Sequence, residues 1–186
     1  MSVKRLIADA KRSGRTRLDL SRRNLTAVPE AVRGLANLTE LDLSVNGLTR
    51  LPDWIGELTA LTSLNLYGNR LAALPESVGG LDRLAWLNAG DNQLTALPAS
   101  IGRLAALTRL DLDLNRITAL PGSIGRLTRL ARLDLFRNRL TDLPVALERL
   151  QALTWLDAGD NRFGTLPAPI TALTGLTWLE LSRIGL

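Results

Sequence analysis

Leucines alternate with polar residues in short stretches that recur along the whole chain. In the stretch LTELDLSVNGLTRLPDWIGE, which begins at Leu38, Leu41 and Leu43 flank Asp42. A period of two is typical of a β-strand with one buried face. The pattern therefore predicts a short strand whose leucines point into a core and whose polar side chains point outward.

The second half of this stretch predicts a turn and a return segment. Asn46 follows the strand, and its amide can both donate and accept hydrogen bonds to backbone groups of the turn. Pro52 fixes φ where the chain starts back. Ile55 and Leu58 then turn apolar side chains toward the core, from a segment that is either a short helix or extended.

The unit returns at a fixed period. Seven of the eight prolines are spaced by 23 residues: Pro29, Pro52, Pro75, Pro98, Pro121, Pro144 and Pro167. The turn asparagines have the same spacing: Asn46, Asn69, Asn92, Asn115, Asn138 and Asn161. A period of this length indicates stacked coils, in which each unit buries its leucines against its neighbours instead of around one central core.

The unit L-x-x-L-x-L-x-x-N-x-L-x-x-L-P-x-x-I-G-x-L-x-x resembles the leucine-rich repeat family over about residues 16–186. This form is similar to the repeats of intracellular scaffold proteins such as Scribble, of plant Ras-group-related proteins and of many bacterial proteins. The resemblance implies an α/β fold: a right-handed leucine-rich repeat solenoid with a parallel concave sheet and short helical or extended convex segments. It implies a binding surface, without naming the partner.

We expect two parts in the chain. Residues 1–14 should form an N-terminal capping helix that Gly14 ends. Its apolar residues follow the spacing of one helix face: Val3, Leu6, Ile7 and Ala10. Residues 15–186 should form the repeat domain, with seven repeats and an incomplete eighth.

The C-terminal end of the repeats lacks a polar cap. The chain ends at Leu186, shortly after the strand that contains Leu179 and Leu181. An open edge strand is a template for pairing with another chain. We therefore expect either self-association through this edge or a further segment that covers it.

Composition excludes several kinds of chemistry. The chain contains neither cysteine nor histidine, which removes disulfides, thiolate metal sites and the commonest general base. No nucleophile–base pair, phosphate-binding loop or strong metal-ligand cluster is evident, so we expect no enzymatic activity, no metal and no cofactor. A weak divalent-cation site at Asp111, Asp113 and Asp134 is an alternative. Without a signal peptide or a membrane span, a cytoplasmic location is expected.

The repeat register predicts which side chains share the concave face, with neighbours about 5 Å apart. Five of the seven aromatic residues fall there. Large apolar groups in water-facing positions favour a binding role, although each ring could instead lie flat on its neighbours and only cover them. The predicted partner-binding residues are Tyr67, Trp86, Arg109, Asp111, Asp113, Arg132, Asp134, Phe136, Trp155, Asp157 and Trp178.

Two heptapeptides suggest an internal duplication. WLNAGDN begins at Trp86 and WLDAGDN begins at Trp155, three repeats later. Tyr67 lies four residues beyond the position one repeat before Trp86, and Phe136 has the same relation to Trp155. The copies predict two similar docking pockets, each with an aromatic ring beside a glycine of the next strand.

The formal net charge is +5, and the charged residues are unevenly distributed between the two sides of the predicted solenoid. Acids outnumber bases at the concave positions, which favours a protein or peptide partner that carries lysine or arginine. Arg103, Arg126 and Arg149 form a column on the return segments. The alternative is therefore binding of nucleic acid or an anionic surface through the convex side. Nucleic acid is the less favoured partner, because acids lie among these arginines and stacking aromatics are scarce there.

Overall fold

The structure is a computed structural model that describes residues 2–183. Within that range one α-helix, α1 (Val3–Ser13), precedes eight strands that alternate with seven 3₁₀ helices. The strands are β1 (Arg17–Asp19), β2 (Glu40–Asp42), β3 (Ser63–Asn65), β4 (Trp86–Asn88), β5 (Arg109–Asp111), β6 (Arg132–Asp134), β7 (Trp155–Asp157) and β8 (Trp178–Glu180). The 3₁₀ helices are Glu30–Gly34, Asp53–Glu57, Glu76–Gly80, Ala99–Arg103, Gly122–Arg126, Val145–Arg149 and Ala168–Ala172.

All eight strands form one parallel sheet in chain order, from β1 to β8. Each residue pairs with the residue one repeat later, as Arg17 does with Glu40 and Trp155 does with Trp178. The order and the register confirm the predicted leucine-rich repeat solenoid with a parallel sheet.

The return segments are 3₁₀ helices, which decides between the helical and the extended alternatives. The repeated proline is the extended residue before each helix. Pro52, for example, has φ −72° and precedes Asp53–Glu57. Because the proline ring restricts φ to this region, it sets the direction in which each helix starts.

The leucines form one continuous core along the solenoid. In the second coil Leu43, Leu48 and Ile55 are fully buried. Phe163 takes a leucine position and is 6% exposed. Trp54 lies on the convex side, where its Nε1 donates to Glu30 Oε2 at 2.6 Å.

The turn asparagines form the expected ladder between coils. Asn92 Oδ1 accepts a hydrogen bond from the Leu71 amide at 3.0 Å. Its Nδ2 donates to the carbonyls of Leu66, Ala89 and Gly90 at 3.0, 3.2 and 3.0 Å. The same arrangement recurs at Asn69, Asn115, Asn138 and Asn161. Each side chain thus satisfies backbone groups that would otherwise be buried without partners.

Neighbouring 3₁₀ helices lie so close together that glycine is required on the convex side. A Cβ atom on Gly102 would overlap the backbone of Ser123, and one on Gly125 would overlap that of Ala146. Gly122 has open space instead, with no atom within 4 Å of a Cβ built there. The sequence therefore places glycine where backbones approach, and the tight packing fixes the convex spacing of the coils.

The helix α1 packs on β1 and on the first 3₁₀ helix. Ile7 and Ala10 are buried in this contact. Ser2 Oγ accepts a hydrogen bond from the Arg5 amide at 3.4 Å, and Gly14 ends the helix in the left-handed conformation with φ 64°. The helix is thus present where the spacing predicts it, whereas the division into a cap and a repeat domain stays a prediction.

The last described strand, β8, lies at the edge of the sheet. Trp178 is 39% exposed and Leu179 is 42% exposed. The expected pairing through this edge stays a prediction, and Leu186 lies outside the described residues. No helix between residues 2 and 183 is long and apolar enough to cross a membrane.

Candidate functional site

Three columns of side chains run along the concave sheet, because the strands are parallel and in register. The first column comprises Arg17, Glu40, Ser63, Trp86, Arg109, Arg132, Trp155 and Trp178. The middle column comprises Asp19, Asp42, Asn65, Asn88, Asp111, Asp134, Asp157 and Glu180. The third column, two residues further along each coil, comprises Ser21, Ser44, Tyr67, Gly90, Asp113, Phe136, Gly159 and Ser182. Every predicted partner-binding residue lies in one of these columns.

An aromatic stack, formed by Arg132, Trp155 and Trp178, occupies the C-terminal end of the first column. The Trp155 and Trp178 ring centroids are 4.3 Å apart and the ring planes differ by 2°. The Arg132 guanidinium carbon lies 3.4 Å from the Trp155 centroid. Since β6, β7 and β8 are adjacent, the strand spacing brings the three planar groups into contact. The stack therefore places apolar ring surface beside the acids of the middle column.

Asp111 lies beneath the first column and is only 3% exposed. Its Oδ2 accepts hydrogen bonds from Trp86 Nε1 at 2.8 Å and from Arg109 Nε at 2.7 Å. Its Oδ1 accepts one from Arg132 Nε at 3.4 Å. A buried carboxylate requires such partners. Asp111 therefore positions three first-column side chains, and its own surface is covered by them.

The acids next to Asp111 are less completely paired. Asp134 accepts from Arg132 Nη2 and from the Phe136 amide, both at 3.2 Å. Within residues 2–183, no side chain donates a hydrogen bond to the Asp113 carboxylate. Burial raises the pKa of Asp113 to about 6, with further contributions from the charges of Asp134, Asp111 and Asp91. This part of the face therefore carries negative charge that a basic group would stabilise.

Burial is also the main cause of shifts at the two neighbouring acids of the middle column. It raises the pKa of Asp134 and of Asp157, against the hydrogen bonds that each accepts from the backbone. Desolvation likewise raises the pKa of Tyr67 in the third column, with the charges of Asp91 and Asp113 adding to it. The acids thus share a partly dehydrated environment on the sheet.

Phe136 is covered on one side by an arginine. The Arg137 guanidinium carbon lies 5.1 Å from the Phe136 centroid, and Arg137 Nε donates to Asp160 Oδ2 at 3.0 Å. Trp86 has a similar neighbour, because the Arg109 guanidinium carbon lies 5.4 Å from its ring centroid. Trp86, Phe136 and Trp155 thus each have an arginine guanidinium over the ring.

The two copies suggested by the heptapeptides do not form equivalent sites. A Cβ atom on Gly90 would overlap the Asp113 carboxylate and would lie 3.2 Å from Tyr67 Cδ2. At Gly159 the corresponding contacts include the Ser182 carbonyl oxygen at 3.3 Å, without overlap. The first glycine is therefore occluded by an aspartate and the second borders a serine.

Sequence reasoning missed a cavity of about 430 Å³ at the N-terminal end of the concave face. Its lining includes Leu6 and Ala10 from α1, Arg15, Arg17, Asp19, Glu40, Asp42 and Trp86. The repeat register identifies only the strand residues of this cavity. Its other wall is α1, whose position over the sheet depends on packing outside the repeat.

Comparison with known proteins agrees with this architecture. A family model described as leucine rich repeat matches residues 16–71 and 105–163, more than half of the chain. The chain belongs to the leucine-rich repeat family.

The solved structure of a leucine-rich repeat protein from Leptospira interrogans is similar to this chain. The two share 30% sequence identity, and the TM-score is 0.57. The similarity covers 94% of this chain and 62% of the Leptospira protein, so the chain spans less than two thirds of that protein's length. No curated protein matches the chain.

The family supplies the framework of a general protein-interaction module and is typically non-catalytic. Membership of this family does not show which face of the protein binds a partner. In the part of this leucine-rich repeat protein that the structure describes, no group of three or more acidic side chains is placed to hold a metal ion. The chemistry of the site therefore rests on the aromatic stack, the arginines and the acids beside them.

Proposed function

We propose that this leucine-rich repeat protein is a non-catalytic protein- or peptide-binding module, and that the C-terminal half of the concave face is its binding surface. The aromatic stack carries the proposal. Trp178 remains 39% exposed while it stacks on Trp155, so part of its apolar ring faces solvent in an orientation that the stack fixes. Such rigid aromatic groups lose little conformational entropy on binding and dominate interface energetics.

The acids beside the stack support a partner that carries lysine or arginine. Asp113, Asp134 and Asp157 are partly buried, and burial raises the pKa of each. A cation from a partner would stabilise their charged forms, and electrostatic complementarity mainly raises the association rate and fixes the register of binding. Basic groups in the partner would therefore lie over the middle and third columns.

A second candidate uses the convex side. Arg103, Arg126 and Arg149 are exposed and aligned at the ends of consecutive 3₁₀ helices. None of the three forms a salt bridge with any residue in the described range. Nucleic acid or an anionic surface could bind there, with an affinity that falls steeply with added salt.

Selection of peptides from a random library against the intact protein tests the proposed function. Selected peptides should lose affinity for the double variant Trp155→Ala/Trp178→Ala. They should bind Val145→Ala normally, since Val145 is 71% exposed on the convex side. Selection that yields no peptide dependent on the tryptophans would refute the proposal, and loss of binding with Arg126→Ala alone would favour the convex side.

A further inference from the structure

The arginine pair, Arg109 and Arg132, lies at the centre of the concave face. The two residues are directly paired across β5 and β6. Like charges in this arrangement repel each other unless an anion lies between them. Asp111 provides that anion from below, since it accepts from the Nε atom of both arginines, at 2.7 Å from Arg109 and 3.4 Å from Arg132. The Nε atoms of the pair are therefore fixed against the sheet.

The terminal nitrogens of the arginine pair are largely unused. Arg109 forms no hydrogen bond or ion pair through Nη1 or Nη2 with any residue of the described range. Arg132 uses Nη2 toward Asp134, which leaves Nη1 unpaired there. The Arg109 side chain is 47% exposed and that of Arg132 is 34% exposed. Three terminal nitrogens, Nη1 and Nη2 of Arg109 and Nη1 of Arg132, thus have no hydrogen-bond partner in that range.

We infer that the arginine pair binds one side-chain carboxylate of the protein or peptide partner, an aspartate or a glutamate. This inference rests on the proposed function. Guanidinium groups present parallel N–H donors that match the two oxygens of a carboxylate. Asp111 preorganises both arginines, so the partner does not have to order them.

The neighbouring aromatic residues favour a side-chain carboxylate over the C-terminal carboxylate of a partner. Trp86 lies on one side of the arginine pair, and Trp155 with Trp178 lies on the other. A ligand that covers the aromatic surface on both sides must continue past the arginines in both directions. A terminal carboxylate would end at the pair, whereas a side-chain carboxylate reaches it from a continuous segment.

The partner then carries charges of both signs. Arg109 begins β5 and Asp113 lies four residues further along the same coil, about 13 Å away at about 3.3 Å per residue. A carboxylate over Arg109 and a basic group over Asp113 would each lie next to a group of opposite charge. This adds an acid to the expected partner that carries lysine or arginine, because the first column would bind an acid and the third column a base.

A titration with a small carboxylate tests the inference without any variant. The probe is N-acetyl-aspartate α-amide, and its neutral isostere N-acetyl-asparagine α-amide is the control. Nuclear magnetic resonance spectra should show saturable shifts of the Arg109 and Arg132 Nε–H signals with the aspartate compound only. Equal shifts with both compounds, or none with either, would overturn the inference.

Selected peptides give a second readout. Replacing the critical Asp or Glu of such a peptide with Asn or Gln should weaken its binding at least about tenfold. Arg109→Gln should remove that preference for the acid, whereas Arg116→Gln, an exposed arginine outside the concave columns, should retain it. Persistence of the preference in Arg109→Gln would contradict carboxylate binding by the arginine pair. Because Arg132 and Trp86 still donate hydrogen bonds to Asp111 in Arg109→Gln, we expect that variant to fold.

The inference and the proposed function can fail separately. If peptides bind through Trp155 without any preference for an acid, the binding module stands and the carboxylate site is refuted. If no peptide binds the concave face, the proposed function is refuted, and the carboxylate titration alone decides whether the arginine pair takes an anion.

Discussion

Trp155 and Trp178 lie one repeat apart and stack with their ring planes within 2° of parallel. The contact depends on the strand register, because any slip between β7 and β8 would separate the rings. Trp155 is therefore covered by Arg132 on one face and by Trp178 on the other. The repeat period thus sets both the fold and the orientation of the surface that we propose for binding.

The asparagine ladder predicts a stability loss that is specific to the turn position. Asn92→Ala removes four hydrogen bonds with Leu71, Leu66, Ala89 and Gly90, and it leaves buried backbone groups unpaired. The free energy of unfolding should fall by about 1–3 kcal/mol, measured by urea denaturation. The neighbouring change Gln93→Ala is the control and should have a much smaller effect. A loss near zero at Asn92 would argue against the ladder.

The close approach of the 3₁₀ helices predicts opposite outcomes for two glycines. Gly102→Ala forces a Cβ atom against the Ser123 backbone, so it should destabilise the protein by about 1–3 kcal/mol. Gly122→Ala meets open space and should be neutral or slightly stabilising. Thermal unfolding of the two variants measures the difference. Similar midpoints for both would show that the convex coils are not packed at this distance.

Stability should increase on mild acidification. The pKa of Asp113 is raised from its ordinary value of 3.8 to about 6, so the folded state binds a proton more tightly than the unfolded state. The free energy of unfolding should therefore rise as the pH falls from 7 through 6 toward 4. Burial at Asp134 and Asp157 acts in the same direction. Urea denaturation across this pH range measures the trend.

Asp113→Asn is the matching variant, since it keeps the shape of the side chain. It should be more stable than the parent at pH 7, by about 1 kcal/mol after solvent screening, and its stability should depend less on pH. If Asp113→Asn and the parent protein have the same pH dependence, Asp113 is not the group responsible.

The exposed edge strand predicts self-association. Trp178 and Leu179 on β8 leave apolar surface and unpaired backbone groups at the edge of the sheet. Static light scattering should show an average mass that rises with protein concentration. Leu179→Lys should suppress that rise by placing a charge on the edge. A constant monomer mass for the parent protein would exclude pairing through β8.

Much of the fold could be predicted because the repeat is nearly uninterrupted. The spacing of Pro52 and its equivalents gives the coil length, and the leucine alternation around Asp42 gives the strands and their facing. The choice between helical and extended return segments could not be made, because a five-residue segment such as Asp53–Glu57 is shorter than two helical turns. Its conformation follows from the packing of neighbouring coils.

The candidate site was predicted less completely. The register placed Trp155, Trp178 and Arg132 side by side, which the structure shows. The register could not show that Asp111 is buried. Strand alternation predicts an outward-facing side chain at that position, and Asp111 is buried only because neighbouring side chains cover it. Nor could it place α1, because that helix lies outside the repeat.

The most direct test of the account is the affinity of a selected peptide for Trp155→Ala, measured by isothermal titration calorimetry beside the parent protein and Val145→Ala. We predict that Trp155→Ala weakens binding by about 2 kcal/mol or more, whereas Val145→Ala binds like the parent. Unchanged affinity in Trp155→Ala, together with loss of binding in Arg126→Ala, would contradict the account and place the site on the convex side.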